Sequence, residues 1–292
     1  TYLLRTDNVK VEELVTGTES GLEPIAEANK NAITQLAELV FNLSDEGEEI
    51  RSLRGSSMSS IVRGTGSQEN RRSGRSNALL HINQAIADQT SGQEESAIGE
   101  LEKAINTGFK HQAAYFNLGY LLTKAGRGEK ALRSLQLSVK NASFTLAARL
   151  LMGQVKRSLD RLPEAAVEYM EALRTADAAS VPADQAADLH QAYEPYLEAV
   201  AKAKKSAEME RICNNIQNLL IQPNWRTHIL QAREQLPEAG EGLPLHPLVE
   251  ILVQVQNSQV IDALTRVRDL ARQNHPRAAM EEAYAALKEA PL

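Results

Sequence analysis

QAAYFNLGYLLTKAGRGEKALRSLQLSVKNASFT, residues 112–145, reads as two helices folded back on one another around the turn Ala125-Gly126-Arg127. Its decisive feature is that its register returns on either side. Ala131 lies 34 residues after Ala97 and 34 before Ala165. The same step links Leu101, Leu135 and Tyr169, then Ala104, Ser138 and Ala172, then the turn positions Gly92, Gly126 and Asp160, and finally Gly119 with Gly153. A fixed period of this length marks a stacked array of helix-turn-helix units.

Each register position has a physical role. Ala97, Ala131 and Ala165 fall early in the second helix of a hairpin, where the missing side chain lets the first helix approach closely. Leu101, Leu135 and Tyr169 follow four residues later on the same face. Ile105, Val139 and Leu173 widen that apolar stripe. Gly119 and Gly153 give the first helices the same close approach, against their poor helix propensity, so packing is expected to offset the cost.

On these residues the chain resembles the tetratricopeptide repeat family. The best copy, residues 112–145, carries Tyr115, Leu118, Gly119, Leu122, Ala131, Leu135 and Ser138. Residues 146–179 keep Met152, Gly153, Ala165, Tyr169 and Ala172 but place Arg149 and Lys156 where the family has bulky apolar groups. Residues 78–111 match in their second helix, with Ala85 in place of the Gly, and Ala279, Ala283, Ala286 and Pro291 give a last partial match. The resemblance implies an all-α helical-repeat solenoid, and it is specific for fold rather than for function.

Composition fits that expectation. Of 292 residues, 42% are hydrophobic and only 4% aromatic, enough for a large helical core and poor material for sheets. The net charge of -6 disfavours nucleic acid or an anionic membrane as a general partner. One cysteine, Cys213, excludes a disulfide scaffold and fits the cytoplasm. There is no secretory h-region and no apolar run long enough to cross a bilayer. The chain starts at Thr1 rather than Met, so an excised or processed fragment is expected, with room for a removed leader or an upstream domain.

Four segments follow. Residues 1–54 form an N-terminal segment with a helix from Pro24 toward Leu53, whose stripe is Ile33, Leu36, Val40, Leu43 and Ile50. The pattern spans too few heptads for a coiled coil; a helix packed on the repeats is expected, and a homodimer seam is the alternative. Residues 55–76 are rich in Gly, Ser and Arg, with Arg63, Arg71, Arg72 and Arg75 against Glu69, and read as a flexible linker. Gly64-Thr65-Gly66 lacks a following Gly-Lys-Ser/Thr, so no nucleotide is expected. Residues 77–179 hold the repeats. Residues 180–292 read as degenerate helical repeats: a helix or kinked pair around Pro195, helices near 207–221 and 225–235, a Gly/Pro-rich loop over 237–247, and further helices broken at Asn274-His275-Pro276.

Chemistry-bearing constellations are sparse. The six histidines, at 81, 111, 190, 228, 246 and 275, show no metal-ligand spacing, so neither metal nor cofactor is expected. Cys213 reads as a buried structural thiol. Acidic pairs such as Glu94-Glu95 point to different helix azimuths and read as solvated faces. The expectation is a protein without enzymatic activity.

The resemblance further implies that side chains of successive first helices line a concave groove for a protein or peptide partner. Mapped by register, that face carries Phe116, Asn117, Tyr120 and Lys124 from one repeat and Leu150, Gln154 and Arg157 from the next. The competing reading is that Phe116 and Tyr120 pack against the N-terminal helix or against C-terminal helices folding back. Some family members clamp a terminal carboxylate with Lys and Asn. The corresponding positions here are Ile82, Ile86, Asn117, Ala147 and Leu151, of which only the Asn matches, so the groove suits an apolar or helical ligand. Two functions are expected on this basis: an interaction scaffold, or a regulatory module of a larger multidomain protein.

Overall fold

The structure, a computed structural model, describes residues 23–54, 66–203, 206–234, 236, 245–253, 266–267 and 269–289, with side chains in all but 43–54, 66–75, 252–253 and 286–289. Every regular element among these residues is an α-helix: α1 (Pro24–Arg54), α2 (Gly66–Thr90), α3 (Glu94–Asn106), α4 (Gln112–Lys124), α5 (Gly128–Ser138), α6 (Ala142–Ser158), α7 (Leu162–Ala178), α8 (Ala183–Lys202), α9 (Ser206–Leu220), α10 (Trp225–Glu234), α11 (Val249–Val253) and α12 (Pro276–Glu289).

Three hairpins, α2/α3, α4/α5 and α6/α7, are the most extensive helix pairs. Their turns are the same structure repeated. Gly92, Gly126 and Asp160 have φ of 78°, 70° and 56°. In each turn the amide one residue further on reaches back to the helix: Gln93 N donates to Asp88 O at 2.8 Å, Arg127 N to Leu122 O at 2.9 Å and Arg161 N to Lys156 O at 2.9 Å. This six-to-one bond, with the left-handed residue before it, is the Schellman arrangement that satisfies the last carbonyls of a helix. Side-chain caps begin the next first helices, with Asn141 Oδ1 accepting from Ser143 N at 2.9 Å and His111 Nδ1 from Ala113 N at 3.3 Å.

The predicted register positions meet inside the hairpins. Ala97, Ala131, Ala165, Leu101, Leu135, Tyr169, Ala104, Ser138 and Ala172 are all buried. A Cβ placed on Gly119 would lie 2.7 Å from both Cγ and Cδ2 of Leu135, and one on Gly153 would lie 2.9 Å from the Tyr169 ring. The glycines are there because the second helix occupies the space a side chain needs.

Polar contacts repeat as well. Arg127 pairs with Glu95 at 2.6 Å, and Arg161 pairs with Glu129 at 3.3 Å, the same bridge moved by one repeat. Within hairpins, His81 meets Glu100 at 2.7 Å and Arg149 meets Glu168 at 2.7 Å, again at equivalent positions. Lys156 also donates to Glu168 at 2.8 Å. Thus Arg149 and Lys156, the two residues at which the second copy departs from the family pattern, converge on one buried carboxylate.

Helices outside the three hairpins pack against this array on two sides. α1 packs on α2, α4 and α6, the first helices of the three hairpins. α8, α9 and α10 pack on α7, and α11 packs on α9. α6 contributes to both halves of the core, with Leu151 and Met152 on the α1 side and Leu150 on the α7–α9 side.

Two segments differ from the sequence reading. Gly66–Ser76, expected to belong to a linker, forms the opening turns of α2; the run Gln68-Glu69-Asn70-Arg71-Arg72 contains no helix breaker. The rest of that linker, residues 55–65, and the N-terminal residues 1–22 lie outside the described residues. In α1 the fully buried stripe is Pro24, Ala28, Ala32 and Leu36, while Ile33 and Val40 are only half-buried. Leu43 and Ile50 lie outside the residues with described side chains.

Candidate functional site

The candidate face consists of Phe116, Asn117, Tyr120 and Lys124 on α4 and Leu150, Gln154 and Arg157 on α6. Phe116, Tyr120 and Lys124 follow one another by one helical turn with Asn117 beside the first, and the 34-residue step carries Phe116 to Leu150 and Tyr120 to Gln154, with Arg157 a turn beyond. The structure places them in different environments.

Phe116 is fully buried and stacks on Phe144 of α6, with ring centroids 5.1 Å apart and planes inclined at 18°. Leu150 is likewise buried, in the core shared with α7 and α9. Asn117 is buried and its Nδ2 donates to Asn29 Oδ1 of α1 at 3.0 Å. These three therefore form part of the interior, and the face that was expected to meet a partner meets the chain's own helices. The competing reading of Phe116 matches this arrangement.

The other four remain partly accessible. Lys124 pairs with Glu94 of α3, and that hydrogen bond holds its ammonium above the ordinary lysine range. The same ammonium lies 5.8 Å from the centroid of the half-buried Tyr120 ring. Arg157 reaches α9, donating to Glu210 Oε1 at 2.8 Å and Gln217 Oε1 at 3.3 Å. The Glu210 contact raises the Arg157 pKa. Gln154, half-buried, stands one turn before it.

α1 crosses this face. It brings Ala28, Ala32 and Leu36 into the core that holds Ile82, Phe116, Ala147 and Leu151. At its start, Glu27 accepts two hydrogen bonds from the guanidinium of Arg226, at 2.8 and 2.9 Å. Of the five positions equivalent to a carboxylate clamp, Ile82, Asn117, Ala147 and Leu151 are buried and Ile86 packs at the edge of the same core.

A second polar centre, which the sequence reading did not single out, joins the C-terminal helices to α7. Asp177 is fully buried. Its Oδ2 accepts from Tyr193 OH at 2.6 Å and Leu248 N at 2.9 Å, and its Oδ1 from Arg233 Nε and Nη2 at 3.0 and 2.8 Å. Four donors use the acceptor capacity of one carboxylate, so Asp177 has no lone pair left for a substrate. Burial beside Asp177 pushes the Tyr193 phenol well above its ordinary range. Next to this centre, Glu250 accepts from Tyr196 OH at 3.0 Å, and His246 Nδ1 lies 2.9 Å from its other oxygen.

Cys213 is buried on α9, and burial pushes its thiol up to about 11. A nucleophilic cysteine has the opposite shift. Among the described residues no group of three or more His, Cys, Asp and Glu side chains could hold a metal ion, and no helix is long and apolar enough to cross a membrane. Comparison with known proteins gives no match: no family model, curated protein or solved structure is significantly similar to the chain.

Proposed function

We propose that this chain is a non-catalytic, cytoplasmic interaction scaffold of the tetratricopeptide-repeat kind, a helical solenoid that binds a protein or peptide partner along its first helices. The observation that carries this reading is the seating of α1 across α2, α4 and α6. The face formed by those helices accommodates a helix through an apolar strip with one buried amide pair. The repeated turns, the translated Arg–Glu bridges and the two close-approach glycines support the solenoid. The saturated Asp177 carboxylate and the unreactive Cys213 thiol support binding rather than catalysis.

The test uses residues on the candidate face that remain reachable. A photo-crosslinking side chain at Gln154 or Lys124 should trap a partner in extract, and one at Glu102 of α3 should not. Tyr120→Ala with Arg157→Ala should weaken capture by about 2 kcal/mol if they are anchors, with the melting curve little changed. Phe116→Ala should instead lower stability by about 3–5 kcal/mol, because it empties a buried aromatic site. Equal crosslinking from both faces, or undiminished capture by the double variant, refutes the assignment of this surface.

A further inference from the structure

We propose that the chain stacks head to tail on a second copy of itself, the outer face of α12 in one copy seating against the outer face of α2 and α3 in the next. The proposal stands on the repeat geometry and is independent of any partner taken by the first-helix face.

α12 is the second helix of a fourth hairpin of the same construction. Asn274, just before it, has φ of 60°, and His275 N donates to Leu270 O at 2.9 Å, the six-to-one bond of the three earlier turns. Ala279 follows that turn by five residues, as Ala97, Ala131 and Ala165 follow theirs, and it is buried. Glu282, at the position of Glu100 and Glu168, again pairs with a basic side chain from before the turn, here Arg266 at 2.5 Å.

The junctions inside the array show which positions of a second helix face the next hairpin. Three residues after the turn, Glu95 and Glu129 reach Arg127 and Arg161 of the following hairpin at 2.6 and 3.3 Å, and ten residues after it Glu102 reaches Lys130 at 3.0 Å. Between them, six residues after the turn, Ile98 and Leu132 are buried. In α12 the same three positions hold Arg277, Tyr284 and Met280. All are exposed, Met280 by 62% and Tyr284 by 70%. The face that stacks in the first two hairpins is therefore open in the fourth.

The opposite end of the array is open as well. α4 packs on α3 and α6 on α5, each through the side turned away from its own second helix. That side carries Ala114, Leu118 and Leu121 in α4 and Ala148, Met152 and Val155 in α6, all buried. In α2 the equivalent residues are Leu80, Gln84 and Ala87, all exposed, with Leu80 at 67%. The two ends are thus the two halves of a junction that the chain already builds twice. Repeat arrays that remain single carry polar outer faces at their ends, whereas here a large apolar side chain stands at each.

Charge selects the occupant. A hairpin like the internal ones would bring an Arg up to Arg277, where the internal junctions have Glu. The chain's own first hairpin brings Gln93 instead, whose side-chain carbonyl accepts from a guanidinium. In the second pair Ser96 takes the place of Lys130 and Tyr284 that of Glu102, so two hydroxyls replace the ion pair. Unlike halves make a heterologous contact, which continues from copy to copy.

Sedimentation velocity of the full chain over a wide range of concentration tests this, with a melting curve for every variant. The wild type should grow past the dimer as concentration rises. Leu80→Glu and Met280→Glu should each stay monomeric and melt as the wild type does, since both side chains are exposed. Mixed in equal amounts, each variant keeps one intact end, and the pair should form a dimer that grows no further. Gln93→Arg should weaken association at least tenfold, because like charges then face each other, and adding Arg277→Glu to the same chain should restore it. A wild type that stays monomeric throughout overturns the proposal. Association lost with Met280→Glu but kept with Leu80→Glu assigns the contact to α12 against α12 and overturns head-to-tail stacking, as does a variant mixture that remains monomeric. If Leu80→Glu unfolds the chain, Gln93→Arg decides the matter at the same end: unchanged association of that variant refutes the contact.

Discussion

Two glycines with opposite surroundings give a sharp test of the hairpin register. Gly99 lies inside α3 with nothing within 4 Å of the position its Cβ would take. Gly119 lies inside α4, where a Cβ would sit 2.7 Å from two side-chain carbons of Leu135 and 3.2 Å from its backbone nitrogen. Carbon atoms prefer separations of about 3.5–4.0 Å, so Gly119→Ala requires a shift of about 1 Å. Leu135 is fully buried and cannot turn outward. In both helices Ala gains about 0.8–1 kcal/mol of propensity over Gly. At Gly99 that gain is all that changes, and Gly99→Ala should stabilise the fold by about that amount. At Gly119 an overpacking cost of about 1–3 kcal/mol opposes it, leaving a net loss of about 1 kcal/mol. The variants should differ by about 2 kcal/mol and lie on opposite sides of the wild type. Denaturant midpoints at constant slope read this directly, and melting temperatures should separate by several degrees, at about 2–4 °C per kcal/mol for chains near this size. Shifts of the same sign for both variants would refute the close approach of α4 and α5 at Gly119.

Two further outcomes concern buried polar groups. Asp177→Ala removes the acceptor of four hydrogen bonds and leaves Arg233 with an uncompensated charge, so urea unfolding should show a loss of about 3–5 kcal/mol; a loss below 1 kcal/mol would show that the carboxylate does not hold the C-terminal helices. His111 caps α4 through an unprotonated Nδ1, and burial holds its pKa below the ordinary histidine value of 6.5. The unfolded chain therefore takes up this proton first as pH falls, so the contribution of His111 is fully present above about pH 6.5 and is lost as pH drops through the folded pKa. His111→Asn, which keeps a capping acceptor that does not titrate, should remove this part of the acid-side decline; an unchanged stability profile between pH 7 and 5 would refute the neutral cap.

Much of the fold was legible in the sequence because it rests on short-range geometry repeated at a fixed step. Gly92, Gly126 and Asp160 stood out as turn positions by spacing alone, and all three have positive φ. Gly119 and Gly153 stood out because they recur at the 34-residue step in successive first helices, and each meets the second-helix residue of its own hairpin. The charges at Arg149 and Lys156 could not be read in this way. They look like defects in an apolar pattern until the hairpin sets positions 149 and 168 opposite each other, where Glu168 accepts from both. Asp177 escaped notice for a related reason. Its donors, Tyr193, Arg233 and the amide of Leu248, come from three later segments whose convergence no local pattern records.

The candidate face shows where periodicity misdirects. A search for apolar stripes weights large aliphatic residues, and in α1 it selects Leu36, which is buried, together with Ile33 and Val40, which are only half-buried. The side that enters the core is built on Ala28 and Ala32, residues with little hydrophobic weight but with the small volume that close helix contact needs. Phe116 was assigned to the wall of the groove because its register position faces inward in the family, and it does face inward, onto Phe144 and into the core that α1 completes. The register therefore fixed the direction of these side chains, while their accessibility depended on a helix whose contact residue lies 88 positions earlier in the chain, as the Asn29–Asn117 bond shows. Phe116 therefore belongs to the core: its ring lies on Phe144 of the next first helix, and α1 covers the apolar residues beside it.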